Sequence, residues 1–455
     1  MTAADGVRRV EADARGRFGW VMFDWANQPF LVLGAFVFAP YFTTTIVGDP
    51  TRGQALWGAM LGVVGLVVAF ASPVLGAMAD VVGRRKPTIL AFSVLTGAAA
   101  AALWVAVPGM ASSVVLALAL FGVASAASEF AHVFNNAMLP SLVDDQRLGR
   151  LSGIGWAMGY VGGLVALVAV LLALVLPAEP MFGLDPAAHE PERMVGPIAA
   201  AWLAVFLVPF FLWTPDLPRS HVPLGRAARE GLRRLAETGR QGRRLGNIVR
   251  FLLARMLYHD GLTALTAFGG IYGAGVFGWG TTTLGLFAIL LTVAAVPGTF
   301  AGGFLADRLG AKRSVVLAIG GLIVGAAGVL SVGPDRVLFV IEVLPPPPDG
   351  GPFAGTAEKV FLAFGLLIGF CVGPAQAASR TLMARIAPPG MMTEFFGLYA
   401  FSGKATAFAA PLLISLVTSL ADDQRTGLAV VLVLLGAGLA LFLTVREERA
   451  APLVR

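Results

Sequence analysis

Cysteine is almost missing from this sequence. The lone Cys371 permits no internal disulfide and no cysteine-based metal site. Histidine is scarce too: His132, His189, His221 and His259 are scattered without ligand spacing, so no metal is expected. Charge is the third shortage. Asp, Glu, Lys and Arg make up 13% of the chain, about half the roughly 25% usual in soluble domains. Combined with 57% hydrophobic residues, that shortage excludes a disordered chain and argues against a soluble enzyme. No phosphate-binding P-loop, catalytic triad or zinc spacing occurs, and the glycines sit in helical runs rather than strand-to-helix turns. Neither a cofactor nor an enzymatic activity is expected.

Long apolar runs fill the chain instead. Twelve spans fall near 18–46, 53–79, 88–107, 112–139, 150–176, 196–214, 248–277, 281–306, 314–332, 357–383, 393–420 and 426–445. Each is long enough to cross a bilayer as a helix, which takes roughly 20 residues. They predict an all-α membrane protein with twelve transmembrane helices in two six-helix bundles. Of the 33 Lys and Arg, 26 lie beside the loops and tails of one side and five on the other. That bias places both termini in the cytoplasm and the chain in the plasma membrane. The Ala-, Gly- and Arg-rich usage points to a bacterial inner membrane. The net charge of +6 then reflects topology, and no nucleic-acid partner is expected.

The first residues carry four arginines with Glu11 and Asp13 but no apolar core before a cleavage site, and read as a retained tail. The domain scheme is a tail (1–17), a six-helix bundle (18–214), a basic linker (215–247), a second bundle (248–446) and a tail (447–455). In the linker Leu224, Ala228, Leu232 and Leu235 recur at helical spacing opposite arginines. That suits a helix on the anionic inner leaflet or, equally, a solvated connector. Leu344–Pro352 reads as a stiff polyproline spacer.

The two halves echo each other. Gly76, Asp80, Gly83, Arg85 and Lys86 after the second span match Gly303, Asp307, Gly310, Lys312 and Arg313 after the eighth, and Arg84 and Arg308 add a further cation to each loop. Gly153 and Gly159 in the fifth span match Gly397 and Gly403 in the eleventh. Such repeats underlie alternating-access transporters. An Asp at a helix end can hold a neighbouring helix N-terminus while arginines anchor at headgroups, which makes these loops a latch whose closure favours an outward-facing state.

The doubled loop resembles the signature of the major facilitator superfamily, which implies its pseudo-symmetric fold. Phe23-Asp24-Trp25-Ala26-Asn27 with Pro40-Tyr41-Phe42, Tyr258-His259-Asp260-Gly261, Ser379-Arg380, and Glu394 to Tyr399 with Ser402-Gly403-Lys404 are similar to stretches of its vacuole-effluxer family. That family includes a yeast vacuolar amino-acid permease. The resemblance implies an amino acid or similar small metabolite as substrate, and export as direction.

Polar groups within the spans mark the pathway, because a mid-bilayer charge costs about 2.5–3.5 kcal/mol on insertion scales. Ser125, Ser128, Glu129, His132, Asn135 and Asn136 form one stripe of the fourth span, and Glu129 with His132 one turn on is the leading proton carrier. Asp24, Asn27 and Gln28 share a face of the first span, as gate or substrate contact. Arg255, Tyr258 and His259 line the seventh, with Asp260 turned about 140° from Arg255. Gln376, Ser379 and Arg380 line the tenth, and Lys404 in the eleventh needs an acid or a substrate carboxylate. Glu394 with Thr393 reads as a helix cap, and Trp20, Trp57, Trp202 and Trp213 as interfacial anchors.

The sequence thus predicts a monomeric secondary transporter of a small solute, driven by protons or by the solute's own gradient. Sugars, drugs or nucleosides are alternative cargoes. A non-transporting sensor or scaffold is the alternative class.

Overall fold

The computed structural model describes residues 10–177, 179–218, 222–240, 245–344 and 351–448. Six long helices come first: Ala14–Ile46 (α1), Pro50–Val82 (α2), Lys86–Val105 (α3), Ala111–Leu142 (α4), Leu148–Val175 (α5) and Glu190–Trp213 (α6). After the linker helix Leu224–Arg240 (α7) come Gly246–Phe277 (α8), Thr281–Leu309 (α9), Ala311–Leu330 (α10), Thr356–Ile386 (α11), Met392–Ala421 (α12) and Gln424–Leu443 (α13). Among the described residues eleven of these are long and apolar enough to cross a membrane. The helix α8 has the length, at 32 residues, but Arg250, Arg255, Asp260 and several glycines lower its hydropathy.

Both ends of the described chain lie on one face, called here the terminal face. The Val10 and Ala12 amides bond to the Ser141 and Leu142 carbonyls at the end of α4, and Asn247 at the start of α8 bonds to Arg446. Several expected boundaries move. The first helix begins at Ala14, not 18, because the Asp13 carboxylate accepts the Gly16 amide and caps it there. The sixth begins at Glu190, not 196. Its first turn looks polar, yet Arg193 is buried, donates to the Trp104 carbonyl and stacks on that indole. The second bundle starts at Gly246 and its last helix ends at Leu443. The expected polyproline spacer (Leu344–Pro352) falls mostly outside the described residues, as do parts of both tails and of the linker.

Prolines shape the helices at the site. Pro40 lacks an N–H, and the far end of α1 around it widens into π turns over Gly34–Phe38 and Phe42–Ile46. In α12 the helix is broken between Lys404 and Ala409. The ring of Pro411 cannot bond the Ala407 carbonyl four residues back, which explains the interruption.

The linker helix is not free in solvent. It packs across the end of α2 through Ala227, Gly231 and Thr238, and a Cβ at Gly231 would meet the Met78 backbone nitrogen at 2.8 Å. Leu232, expected on the apolar face, is 52% exposed. The Thr238 hydroxyl donates to Glu394 Oε1 of α12 at 2.6 Å, so the linker braces the second bundle as well. Thr238→Val removes that brace and leaves the packing surface; a modest fall in thermal stability, about 1 kcal/mol, is expected in melting curves.

Candidate functional site

The polar residues form three layers along the boundary between the helices before and after α7. On the terminal face two carboxylates tie helices across that boundary. Asp80, ending α2, accepts the backbone amides of Thr393 and Glu394 at the start of α12, at 3.0 and 2.9 Å, and the Thr393 hydroxyl at 2.8 Å. Asp307, ending α9, accepts the amides of Gly149 and Arg150 at the start of α5, at 2.7 and 2.9 Å. Each places a negative charge on a helix N-terminus with unpaired donors. The glycines of the repeat let the backbones meet: a Cβ at Gly76 would overlap the Thr393 carbonyl, and one at Gly303 would sit 2.8 Å from the Gly149 carbonyl. Gly83 and Gly310 turn the chain at φ +86° and +94°.

The cations of the two loops differ in role. Arg85 reaches Asp80 at 3.5 Å and the Thr393 hydroxyl at 2.9 Å. Burial lowers its pKa, opposed by Asp80 and Asp216. On the other tie Arg385, from the end of α11, reaches Asp307 at 3.6 Å and Glu447 at 2.5 Å. Lys312 stays within its own half, its ammonium on the Leu443 carbonyl and its amide on Glu447. Arg84, Arg308 and Arg313 were expected in the latch. All three are exposed, and among the described residues none makes an ion pair or hydrogen bond.

Six residues before the end of α11, about 9 Å deeper, lies a second layer around Arg380, which is fully buried. Its guanidinium donates to Asp24 Oδ2 at 3.3 Å, Asn136 Oδ1 at 2.9 Å, the Ser152 hydroxyl at 2.9 Å and the Ser152 carbonyl at 2.6 Å. The indoles of Trp20 and Trp156 stack against it, with centroids 5.0 and 5.2 Å away. Asp24 Oδ1 faces His132 Nε2 at 3.5 Å, and the other ring nitrogen of His132 meets the Asn27 amide at 2.8 Å. Asn27 also donates to the Ser128 hydroxyl at 2.9 Å.

Higher still, Lys404 of α12 and Glu129 of α4 meet at 2.8 Å. This pair forms the floor of a cavity of about 520 Å³ walled by α1, α2, α4 and α12. Leu31, Trp57, Leu61, Val64, Phe121 and Phe408 supply its apolar lining. It extends toward the far face, since Trp57 lies only about 10 Å from the start of α2. With the terminal face tied and the cavity on the far side, the molecule stands in a one-sided state.

The sequence profile described as vacuole effluxer Atg22 like matches residues 55–453. The chain belongs to the vacuole-effluxer family. An uncharacterized MFS-type transporter, YxiO of Bacillus subtilis, is 24% identical over 94% of both chains. Autophagy-related protein 22-2 of Aspergillus clavatus is 24% identical over 63% of this chain and 46% of its own length, so the chain spans about half the length of its fungal relatives. The fold is that of the major facilitators. The human organic anion transporter MFSD10 superposes with a TM-score of 0.70 at 15% identity, covering 94% of this chain and 99% of that one. The transporter FucP in its outward conformation also gives 0.70, at 14% identity over 94% and 98%. This vacuole-effluxer relative is therefore a multi-pass membrane transporter and not an enzyme.

Several expected residues take other partners in this family member. Glu129 pairs with Lys404 rather than sharing a proton with His132, whose ring faces Asp24 and Asn27. Thr393 and Glu394 do not cap their own helix; their amides are the ones Asp80 holds. Trp20 is fully buried and donates to the Asn135 carbonyl, so it is not an interfacial anchor, while Trp202 is partly buried and stacks on Trp25. Both side-chain polar atoms of Asn135 are buried without partners. In the second half, Arg255 donates to the Tyr399 carbonyl and the Ser402 hydroxyl, Tyr258 bonds to Ser379, and Gln376 bonds to His259. Ser152, Trp156, Arg385, Asp216 and Glu447 were not anticipated. Asp216 caps α3 at the Arg85 and Lys86 amides as Glu447 caps α10 at Ala311 and Lys312. An acid just after the last helix of each half was the available signal.

Proposed function

We propose that this protein exports a small zwitterionic metabolite, an amino acid in the first instance, by alternating access across the bacterial inner membrane under an ion gradient. The reading is carried by the Glu129–Lys404 pair, an acid and a base from opposite halves at the floor of an apolar cavity. A zwitterion replaces that pair in kind: its ammonium takes Glu129, its carboxylate takes Lys404, and its side chain rests on the Leu61, Val64 and Phe121 walls. The bridge then no longer joins the halves directly, and the solute does.

The basic excess at the terminal face makes that face cytoplasmic, so the tied state is outward-facing. Release of the ties at Asp80 and Asp307, together with the Arg380 contacts to Asp24, Asn136 and Ser152, opens the opposite state. His132, Asn135 and Asn136 line the route between the layers, and the transporter acts as a monomer.

Proteoliposome counterflow with labelled amino acids tests this. Lys404→Gln is expected to raise the KM by about 10- to 100-fold, the worth of one charge-assisted contact. Glu129→Gln is expected to do the same for the ammonium end. Flux of sugars or nucleosides but not amino acids would overturn the zwitterion. Binding without any flux would overturn transport itself.

A further inference from the structure

Asp260 of α8 is 5% exposed and makes no ion pair among the described residues. Its Oδ1 is buried without a hydrogen-bond partner. Arg255, on the same helix, is committed elsewhere: its guanidinium lies on the Tyr399 ring, 3.6 Å from the centroid, and donates to the Tyr399 carbonyl and the Ser402 hydroxyl. Arg255 offsets part of the Asp260 charge from a distance, but no cation touches the carboxylate among the described residues, and a buried carboxylate without a contacting counter-charge is costly in a membrane interior.

The group beside it is Thr406, in the broken turn of α12. The Thr406 hydroxyl is buried and within reach of that carboxylate, without a well-directed hydrogen bond to it or to any other group. Across the break the helical ladder is interrupted. The Ala405 amide still reaches the Phe401 carbonyl and Ala407 turns back to Lys404, but the carbonyls of Ser402 and Gly403 receive no backbone amide. A buried carboxylate, an unpartnered hydroxyl and freed carbonyls in an opened helix are the oxygen donors that hold a small hard cation. The same turn borders the cavity, since Lys404, Ala407 and Phe408 line it.

We propose that Asp260, Thr406 and the opened turn of α12 form the binding site of the coupling cation, a sodium ion or a proton. Occupation neutralises Asp260 and orders the turn. Order in the turn places Lys404 and Phe408 at the cavity, so cation and solute bind as one unit. The charged and titratable neighbours are Arg255 and His259 on α8, Lys404 and Tyr399 on α12, and Glu129 on α4, which Lys404 already pairs. Coupling to flux rests on the transport reading; occupation of the site does not.

The test uses the purified full-length protein without any solute. Its thermal unfolding is followed in choline chloride from pH 5.5 to 8.5, with NaCl titrated in at each pH. A sodium site raises the Tm saturably by several degrees at pH 8.5 and by less at pH 5.5, where protons compete. A proton site shows no sodium effect and a Tm that falls as pH rises, because the carboxylate must be neutral in the folded state. In either case Asp260→Asn, which is isosteric and uncharged, abolishes the response, and Thr406→Val weakens it. Sodium and pH responses in Asp260→Asn equal to those of the wild type would overturn the site. The same variant in proteoliposomes is expected to lose gradient-driven accumulation.

Discussion

Arg380→Ala abolishes transport and costs about 3–5 kcal/mol of stability, the usual penalty for stranding one partner of a buried ion pair. The expectation follows from what the guanidinium holds. Asp24, Asn136 and Ser152 all belong to the first half, Arg380 to the second, and the side chain is fully buried between them. Removing it leaves Asp24 with only His132, at 3.5 Å, and leaves the Ser152 carbonyl and Asn136 oxygen unsatisfied in the core. Arg380→Lys does not rescue function, because a single ammonium cannot serve four acceptors set around a planar fork between two indoles. Counterflow and melting curves measure both effects. The double variant with Asp24→Asn is the informative one: it removes the stranded charge, so much of the stability returns, while transport stays lost if the bond itself times the closure of the halves. An Arg380→Ala protein that transports and melts like the wild type would refute this role.

Much of the fold was legible, and the reasons are local. Hydropathy needs only a window of about 20 residues, and the loop repeat after α2 and α9 is visible because a turn at positive φ demands Gly83 and Gly310. The partner of Asp80 was less so. An Asp at a helix end announces that it holds an N-terminus, but not that the N-terminus lies 313 positions away at Thr393. Long-range pairing also hid the Arg380 network, whose bond to Asp24 spans 356 positions. Trp20 was misread for a related reason: closeness to a helix end says interface only when that end faces lipid, and Trp20 faces Arg380. The start of α6 was lost because a hydropathy window counts Arg193 as polar, whereas its guanidinium is spent on the Trp104 carbonyl and ring. The break in α12 escaped because an apolar window runs straight across it, although Pro411 is a plain local signal.

Gly76→Val and Gly303→Val each prevent closure of the terminal face and reduce transport to background. The effect is steric and does not depend on charge. At Gly76 a new Cβ would overlap the Thr393 carbonyl, a backbone atom that cannot swing aside as a side chain can. The same helices are joined by the Asp80 bonds to the Thr393 and Glu394 amides, so a displacement there also breaks the tie. Spin labels at Arg84 and Arg308, exposed positions in the two halves, report the result in a Cys371→Ser background. The wild type is expected to give a short distance, and Gly76→Val a longer and broader one. Asp80→Asn provides the graded comparison. It weakens two charge-assisted bonds worth about 1.5–3 kcal/mol each, shifting the population toward the open terminal face without blocking closure, so partial transport remains. Asp307→Asn acts alike, and less strongly if Arg385 keeps its second anchor on Glu447. If Gly76→Val keeps the wild-type distance and full flux, the α2–α12 contact is not the closing surface, and the doubled loop serves orientation alone.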